Sequence, residues 1–312
     1  MQTGSANHDR ILAAALDWAG APMAIATVVE TWKSAPCPTG THMLVHADGR
    51  FVGSVSGGCV EADVLERAQM VLAGAPAVRR RYGVADDAAW DVGLPCGGDI
   101  LVLVQPVSAD GFPESLFADI VSARGKGATL SVVTDLATGR SAIGQDAAAE
   151  SFINVYYPPR RLLIVGAVEI AAALSAIAVS QGIDVTLCDP RGRFLTADRF
   201  PNVRLDDRWP DEAVKAFAPD SRSAIVTLSH DPKIDDPALI SALDSPAAYI
   251  AALGSVRSHA ARLSRLSAAG VGGDQTARIE GPAGVAINAI SAPEIALSIA
   301  GGMIRAFNMG LR

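Results

Sequence analysis

Two short segments of the sequence each place a cysteine beside a pair of glycines. The first reads GSVSGGC over residues 53–59, and the second reads GLPCGG over residues 93–98. Glycine pairs permit backbone angles that side chains forbid, and a thiolate is both a nucleophile and a ligand for soft metals. The pattern therefore makes Cys59 and Cys96 candidate functional residues, without naming a reaction. The alternative is a pair of inert buried thiols, because cysteine is also among the most buried residue types.

The residues around Cys59 predict a strand, a turn and a helix. Residues 51–55 alternate like a short strand, and apolar residues recur at helical spacing from residue 60 onward. Cys59 should thus lie just before the first turn of a helix, where the helix dipole and unpaired amides favour a thiolate and attract phosphate. The backbone that would hold such an anion belongs to Gly57, Gly58, Gly97 and Gly98.

Composition limits the classes of partner. The chain has 312 residues, a net charge of -7 and four cysteines, at 37, 59, 96 and 188. An acidic chain is a poor partner for nucleic acid or an anionic membrane, and we expect neither. No window is apolar enough to span a bilayer, and no secretory leader is evident. The expected location is the cytoplasm, with reduced thiols.

The periodicity predicts two kinds of fold in one α/β chain. Residues 1–106 mix short strands and helices as an α+β domain, residues 107–159 complete this N-terminal half, and residues 160–312 alternate strand and helix. Nearly continuous apolar strands at 161–165, 184–188, 223–228 and 248–253 are typical of a doubly wound, Rossmann-like parallel sheet. Pro158 and Pro159 mark the boundary, because neither continues a helix or a central strand.

The glycine turn of the second domain departs from a standard dinucleotide site. Gly166 follows the first strand, but Val168 stands where bare backbone usually meets the pyrophosphate, and Glu169 adds a negative charge. Asp189 follows the second strand, where it would either bind a ribose or form a turn. NAD(P) or FAD binding is weakened by Val168, and a structural Rossmann domain or an altered ligand pose stays open.

Polar residues also follow the two later strands. Ser229, His230 and Lys233 come after one, and Gly254, Ser255 and Arg257 after the next. Ligands of such sheets bind beyond the carboxyl ends of the strands. His230 is thus a candidate general acid or base, and Lys233 or Arg257 a candidate phosphate contact. A hydrogen-bonding or capping role for His230 is the alternative.

Together these motifs resemble one family. GSVSGGCVEADV at 53–64, GLPCGG at 93–98, SHDPKIDDPAL at 229–239 and LGSVRSHAARL at 253–263 are similar, in this order, to the XdhC/CoxF family. The resemblance implies a chaperone that binds the molybdenum cofactor, a pterin with a dithiolene and a phosphate or nucleotide. It also implies delivery to an apo-molybdenum hydroxylase of the xanthine dehydrogenase or CO dehydrogenase type, with sulfuration by a cysteine desulfurase in some members.

In that resemblance Cys59 matters for cofactor binding, and Cys96 is the second candidate for contact with the cofactor molybdenum. The C-terminal half departs from the family, with Val168 and Glu169 in the Rossmann turn and a late loop that reads GVAINA at 284–289. Two other function classes stay open, an NAD(P)- or FAD-dependent oxidoreductase and a scaffold that only docks a hydroxylase. A homodimer is plausible for such a carrier.

Overall fold

A computed structural model describes residues 5–83, 98–146 and 150–309 of the protein. Contacts within the chain divide it into two compact units, Met1–Pro158 and Pro159–Arg312. Within the described ranges, no helix is both long and apolar enough to cross a bilayer.

The first unit is a mixed α+β domain built on a five-stranded sheet. Its strands follow the order β3-β2-β1-β5-β4, and a second sheet follows the order β7-β6-β8. The elements are α1 (Ser5–Asp17), β1 (Met23–Trp32), β2 (His42–His46), β3 (Phe51–Gly53), α2 (Glu61–Leu72), β4 (Val78–Tyr82), β5 (Asp99–Pro106), α3 (Ser115–Gly125), β6 (Leu130–Asp135), β7 (Ser141–Ile143) and β8 (Ser151–Tyr156).

Two apolar clusters cover the two faces of the larger sheet. On one face, Val60 and the α2 residues Val64 and Ala68 are buried against side chains of β1 and β5. On the other face, α1, α3 and the smaller sheet enclose a cluster that includes Ile25 and Phe117. Because each sheet face is buried against another layer, the turns that end the strands are held at fixed positions.

The second unit is a doubly wound α/β domain, as predicted. Its strands follow the order β11-β10-β9-β12-β13-β14 and every neighbouring pair is parallel. The elements are β9 (Arg161–Val165), α4 (Glu169–Ser180), β10 (Asp184–Cys188), η1 (Gly192–Phe194), β11 (Arg204–Asp206), α5 (Pro210–Phe217), β12 (Ser223–Thr227), α6 (Pro232–Leu243), β13 (Tyr249–Ala252), α7 (Val256–Ala268), α8 (Gly273–Thr276), β14 (Ile279–Glu280) and α9 (Ala292–Met309).

This order is the one found in dinucleotide-binding domains. Helices α4 and α9 pack on one face, and α5, α6 and α7 pack on the other. The predicted fold class is confirmed. The sequence did not predict the short edge strands β11 and β14, because two or three residues are too few for a clear periodicity.

A pair of buried histidines in the first unit makes its stability depend on pH. His8 and His42 are 4% and 2% exposed, and burial lowers the pKa of His8 from 6.5 to about 4 and that of His42 well below its usual value. Between pH 6.5 and 4 these histidines therefore bind protons in the unfolded chain that they do not bind in the folded chain. We expect the free energy of unfolding to fall as the pH drops through this window.

The matched variant is His8→Gln, which stays neutral and keeps a donor for the carbonyl of Gly40, now 3.1 Å from His8 Nε2. Urea unfolding at pH 7, 6, 5 and 4 should give a slope shallower by up to about 1.4 kcal/mol per pH unit, the value for one proton. Equal slopes for wild type and variant would contradict the assignment.

Candidate functional site

The topology brings three loops of the first unit to one edge of the five-stranded sheet. β1 runs antiparallel to β2 and β5, and β2 runs antiparallel to β3. The end of β1, the start of β2, the end of β3 and the start of β5 therefore share one edge. This edge carries the 33–41 loop with Cys37, the 54–60 loop with Cys59, and Gly98. Cys96 and Gly97 lie outside the described residues.

One buried carboxylate holds the 54–60 loop. Glu61, the first residue of α2, is only 9% exposed, and its side chain turns back toward the loop. Its two oxygens accept hydrogen bonds from four backbone amides and two serine hydroxyls. The donors are the amides of Val55 (3.1 Å), Ser56 (2.9 Å), Gly58 (2.9 Å) and Val60 (3.2 Å), and the hydroxyls of Ser54 and Ser56.

This environment fixes the charge of Glu61. Burial by itself would raise the pKa of the carboxyl group, but the hydrogen bonds from Ser54, Ser56 and the backbone lower it to about 2. A carboxylate that accepts several amide hydrogen bonds is strongly favoured over its protonated form. Glu61 is thus ionised at neutral pH and acts as the internal anion of the loop.

Every backbone amide from residue 55 to residue 60 is consequently paired. Gly57 N donates to Ser54 Oγ at 2.7 Å and Cys59 N donates to Ser56 Oγ at 2.9 Å, while the other four donate to Glu61. The amides of residues 55–60 are therefore not free in this structure, because Glu61, Ser54 and Ser56 accept from them. Gly57 and Gly58 stay predictions as cofactor-binding residues. Sequence reasoning missed Glu61. The available pointer was an acid at the first helical position, five to seven residues after two serines.

Cys59 is exposed, whereas Cys37 is partly buried and Cys188 is buried. Cys37 Sγ lies 4.0 Å from the carbonyl oxygen of Ser54, so the two thiol-bearing loops touch. Burial and the nearby charge of Glu61 raise the pKa of the Cys37 thiol. Since a thiolate is the reactive form, the structure favours Cys59 over Cys37 as the reacting thiol. Among the described residues, no cluster of three His, Cys, Asp or Glu side chains is arranged to hold a metal.

The glycines around this loop are required for two different structural reasons. Gly57 and Gly58 have φ of +79° and +120°, and in the described part of the chain nothing lies within 4 Å of a Cβ placed on either. They are needed for their backbone angles alone. At Gly98, by contrast, a Cβ would lie 2.7 Å from the carbonyl oxygen of Trp32 and 2.6 Å from that of Ser34. Gly98 therefore packs directly against the chain that leads to Cys37.

In the second unit, other residues of the chain pack against the glycine turn after β9 and form hydrogen bonds with it. A Cβ on Gly166 would lie 2.8 Å from Ser229 N, so these two predicted site residues are in contact. The amide of Ala167 donates to Asp189 Oδ2 at 2.8 Å. Asp189 is fully buried and both of its oxygens also accept from Arg191, at 2.9 and 2.8 Å.

These contacts are a further argument against a standard dinucleotide site at this turn. Burial would raise the pKa of Asp189, but the hydrogen bonds from Arg191 and Ala167 lower it, so the carboxylate is an internal ion-pair partner of the turn. A ribose at Asp189 would have to replace Arg191. The structure thus favours the turn-forming role that the sequence left open.

The turns after β12 and β13 are more accessible. His230, Lys233, Ser255 and Arg257 are exposed, and His230 has φ of +62°. Ser255 caps α7 by accepting from Ser258 N at 3.1 Å. His230, Lys233 and Arg257 stay predictions as functional residues.

Beneath these turns lie two buried charges that the sequence analysis missed. Arg262 is 4% exposed, and Nη2 donates to the carbonyl of Leu253 at 2.8 Å. Asp235 is 2% exposed and accepts from Ser229 Oγ at 2.6 Å. Burial raises the pKa of Asp235. Both residues anchor the turns that carry Ser229 and Gly254, which is a positioning role.

Comparison with known proteins places this architecture. Two family models match, one described as the XdhC and CoxI family over residues 18–83 and one as the XdhC Rossmann domain over residues 162–303. The crystal structure of a xanthine dehydrogenase from Bacillus halodurans superposes with a TM-score of 0.77, covering 99% of this chain and 96% of that one at 24% identity. At that identity the structural likeness supports the fold alone.

Two curated relatives match over most of their length. The molybdenum cofactor insertion chaperone PaoD of Escherichia coli (strain K12) is 29% identical over 94% of this chain and 86% of that protein. A probable xanthine dehydrogenase subunit of Bacillus subtilis (strain 168) is 25% identical over 90% of this chain and 92% of that protein. With both of its halves matched by family models, in the order that the sequence motifs indicated, the chain belongs to the XdhC and CoxI family.

Proposed function

We propose that this chain is a chaperone that carries the molybdenum cofactor and delivers it to an apo-molybdenum hydroxylase of the xanthine dehydrogenase or CO dehydrogenase type. The observation that carries the proposal is the exposed thiol of Cys59 on a loop whose shape Glu61 fixes. The similarity to PaoD, a molybdenum cofactor insertion chaperone, supports the same function.

The donor chemistry of the first unit suits one end of this cargo. A thiolate is a soft ligand, so Cys59 would contact the metal and sulfur end of the cofactor. The amides of residues 55–60 donate to Glu61, Ser54 and Ser56, so they would not hold its phosphate. The first unit would thus recognise the cargo by its metal end, with Cys96 as the second proposed thiol.

For the second unit we propose separate phosphate contacts at the turns after β12 and β13. Lys233 and Arg257 are exposed cations there, and Gly254 and Ser255 form the entry to α7. These residues would bind a phosphate or nucleotide in a pose that leaves the Gly166 turn untouched. His230 would be the general acid or base of this turn.

Sulfuration is a finer proposal that rests on the same thiol. A cysteine desulfurase that serves the cargo must reach it through solvent, and Cys59 is the exposed cysteine of the three in the described ranges. Delivery likewise needs the thiol at the surface, because the client hydroxylase must take the cargo from it.

The decisive experiment measures cargo on the purified protein. The full chain would be expressed in cells that make the cofactor, and bound pterin would be oxidised to its fluorescent product and counted per chain. We expect Cys59→Ser to lower loading at least tenfold, and Cys37→Ser, the matched exchange on the adjacent loop, to leave it within twofold of wild type. Equal loading of wild type and Cys59→Ser would overturn the proposal.

A parallel titration of wild type with NADPH addresses the oxidoreductase alternative. A saturable fluorescence change together with unchanged pterin loading in Cys59→Ser would favour that alternative over the carrier.

A further inference from the structure

A small polar cavity lies between the two sheets of the first unit. It is lined by Thr27, His42 and Gln105 from the larger sheet and by Thr134, Asn154 and Tyr156 from the smaller one, together with apolar side chains. Its free volume is about 10 Å³, which is close to the least that can hold one water molecule.

The hydrogen bonds around His42 define its tautomer. Nε2 lies 2.8 Å from Tyr156 OH and 2.9 Å from Asn154 Nδ2. Since the amide nitrogen can only donate, Nε2 is the unprotonated nitrogen, and Nδ1 donates to Thr27 Oγ1 at 2.9 Å. His42 is thus neutral with both ring nitrogens in use.

One polar atom of this cluster forms no hydrogen bond within the described part of the chain. Asn154 is 3% exposed, and among the described residues its Oδ1 has no hydrogen-bond partner. Turning the amide over would place Oδ1 against the carbonyl oxygen of Gly40, which accepts from Nδ2 at 3.4 Å in the present orientation. A buried amide oxygen without a partner destabilises the folded protein, and buried waters characteristically satisfy such groups.

The same network supports the loops that carry the two thiols. The carbonyl of Gly40, at the end of the 33–41 loop, is 3.4 Å from Asn154 Nδ2 and 3.1 Å from His8 Nε2. The carbonyl of His42 packs against Gly53, the residue before the 54–60 loop. Residues that line the cavity therefore contact the end of the 33–41 loop and the residue before the 54–60 loop.

We propose that this cavity holds one ordered water molecule bonded to Asn154, and that the hydrated network is the support that keeps the Cys37 loop against the Cys59 loop. The site takes water because a free volume of about 10 Å³ holds no larger donor. The proposal does not depend on what the protein carries.

The test compares wild type with Asn154→Leu in the full chain. Oxygen-17 relaxation dispersion of the solvent counts long-lived internal waters, and we expect the variant to lose the equivalent of one. We also expect a lower unfolding temperature and at least threefold faster labelling of Cys37 by a small disulfide reagent, read site by site by mass spectrometry. Gln69→Leu, which replaces an exposed carboxamide on α2 by the same side chain, should change none of the three.

A dry cavity predicts a different dispersion result. If the cavity is dry, Asn154→Leu has no water to lose, so the dispersion is unchanged, which overturns the proposal. Loss of the water with unaltered Cys37 labelling overturns its supporting role. Should Asn154→Leu not fold, wild type alone decides the water site, because a dispersion without the amplitude of one long-lived internal water would overturn it.

Discussion

Replacing Glu61 by glutamine should destabilise the protein by roughly 3 kcal/mol at neutral pH and should release the 54–60 loop. The carboxylate accepts from the amides of Val55, Ser56, Gly58 and Val60. A glutamine would turn an NH₂ group toward some of these donors, and charge-assisted hydrogen bonds of this kind contribute about 1.5–3 kcal/mol each. Urea unfolding and pterin loading of Glu61→Gln check the two effects.

The pH dependence of this effect has a definite sign. The folded pKa of Glu61 is about 2 against 4.5 for the free side chain, so the stabilisation is complete above pH 4.5 and is lost as the pH falls toward 2. The difference between wild type and Glu61→Gln should therefore shrink over that window. Glu66→Gln, on the exposed side of the same helix, should stay within about 0.5 kcal/mol of wild type. A Glu61→Gln protein with wild-type stability and loading would contradict our account of the loop.

The second large effect is expected at Gly53, which ends β3. Gly53 has φ of +89°, and a Cβ there would clash with the carbonyl oxygen of His42 and would lie 2.9 Å from Ile11 Cδ1. A clash with backbone cannot be relieved by a rotamer change. We expect Gly53→Ala to cost about 3 kcal/mol or more, since strain in φ alone is about 1–2 kcal/mol.

Gly57→Ala is the matched control, because Gly57 also has positive φ, +79°, but a Cβ there would meet nothing within 4 Å in the described part of the chain. Its cost should be about 1–2 kcal/mol, the strain alone. Thermal or urea unfolding of both variants separates the two causes. Equal losses would show that contact with His42 adds nothing.

The sequence predicted the architecture well where periodicity is strong. The four central strands of the second unit lie within one residue of the predicted positions, because continuous apolar strands carry a clear pattern. The turn before Cys59 was also predicted. Cys96 lies outside the described residues, so its role stays a prediction.

The failures concern polar groups that act inside the protein. The glycine turn at Cys59 suggested bare amides, but Glu61, Ser54 and Ser56 accept from them. Periodicity reports which residues are apolar and does not say which acid folds back onto which amide. His42 and Asn154, which lie 112 residues apart and meet through a hydrogen bond, have no local pattern that could reveal them.

The hydrogen bonds within the Cys59 loop affect how quickly the proposed carrier would exchange its cofactor. Because Glu61, Ser54 and Ser56 satisfy the amides of this segment, its ordering entropy is lost during folding and not at the moment of capture. We therefore expect that neither binding nor release of the cofactor requires the loop to refold. The exchange rate would then be limited by the encounter with the cofactor donor and with the client hydroxylase.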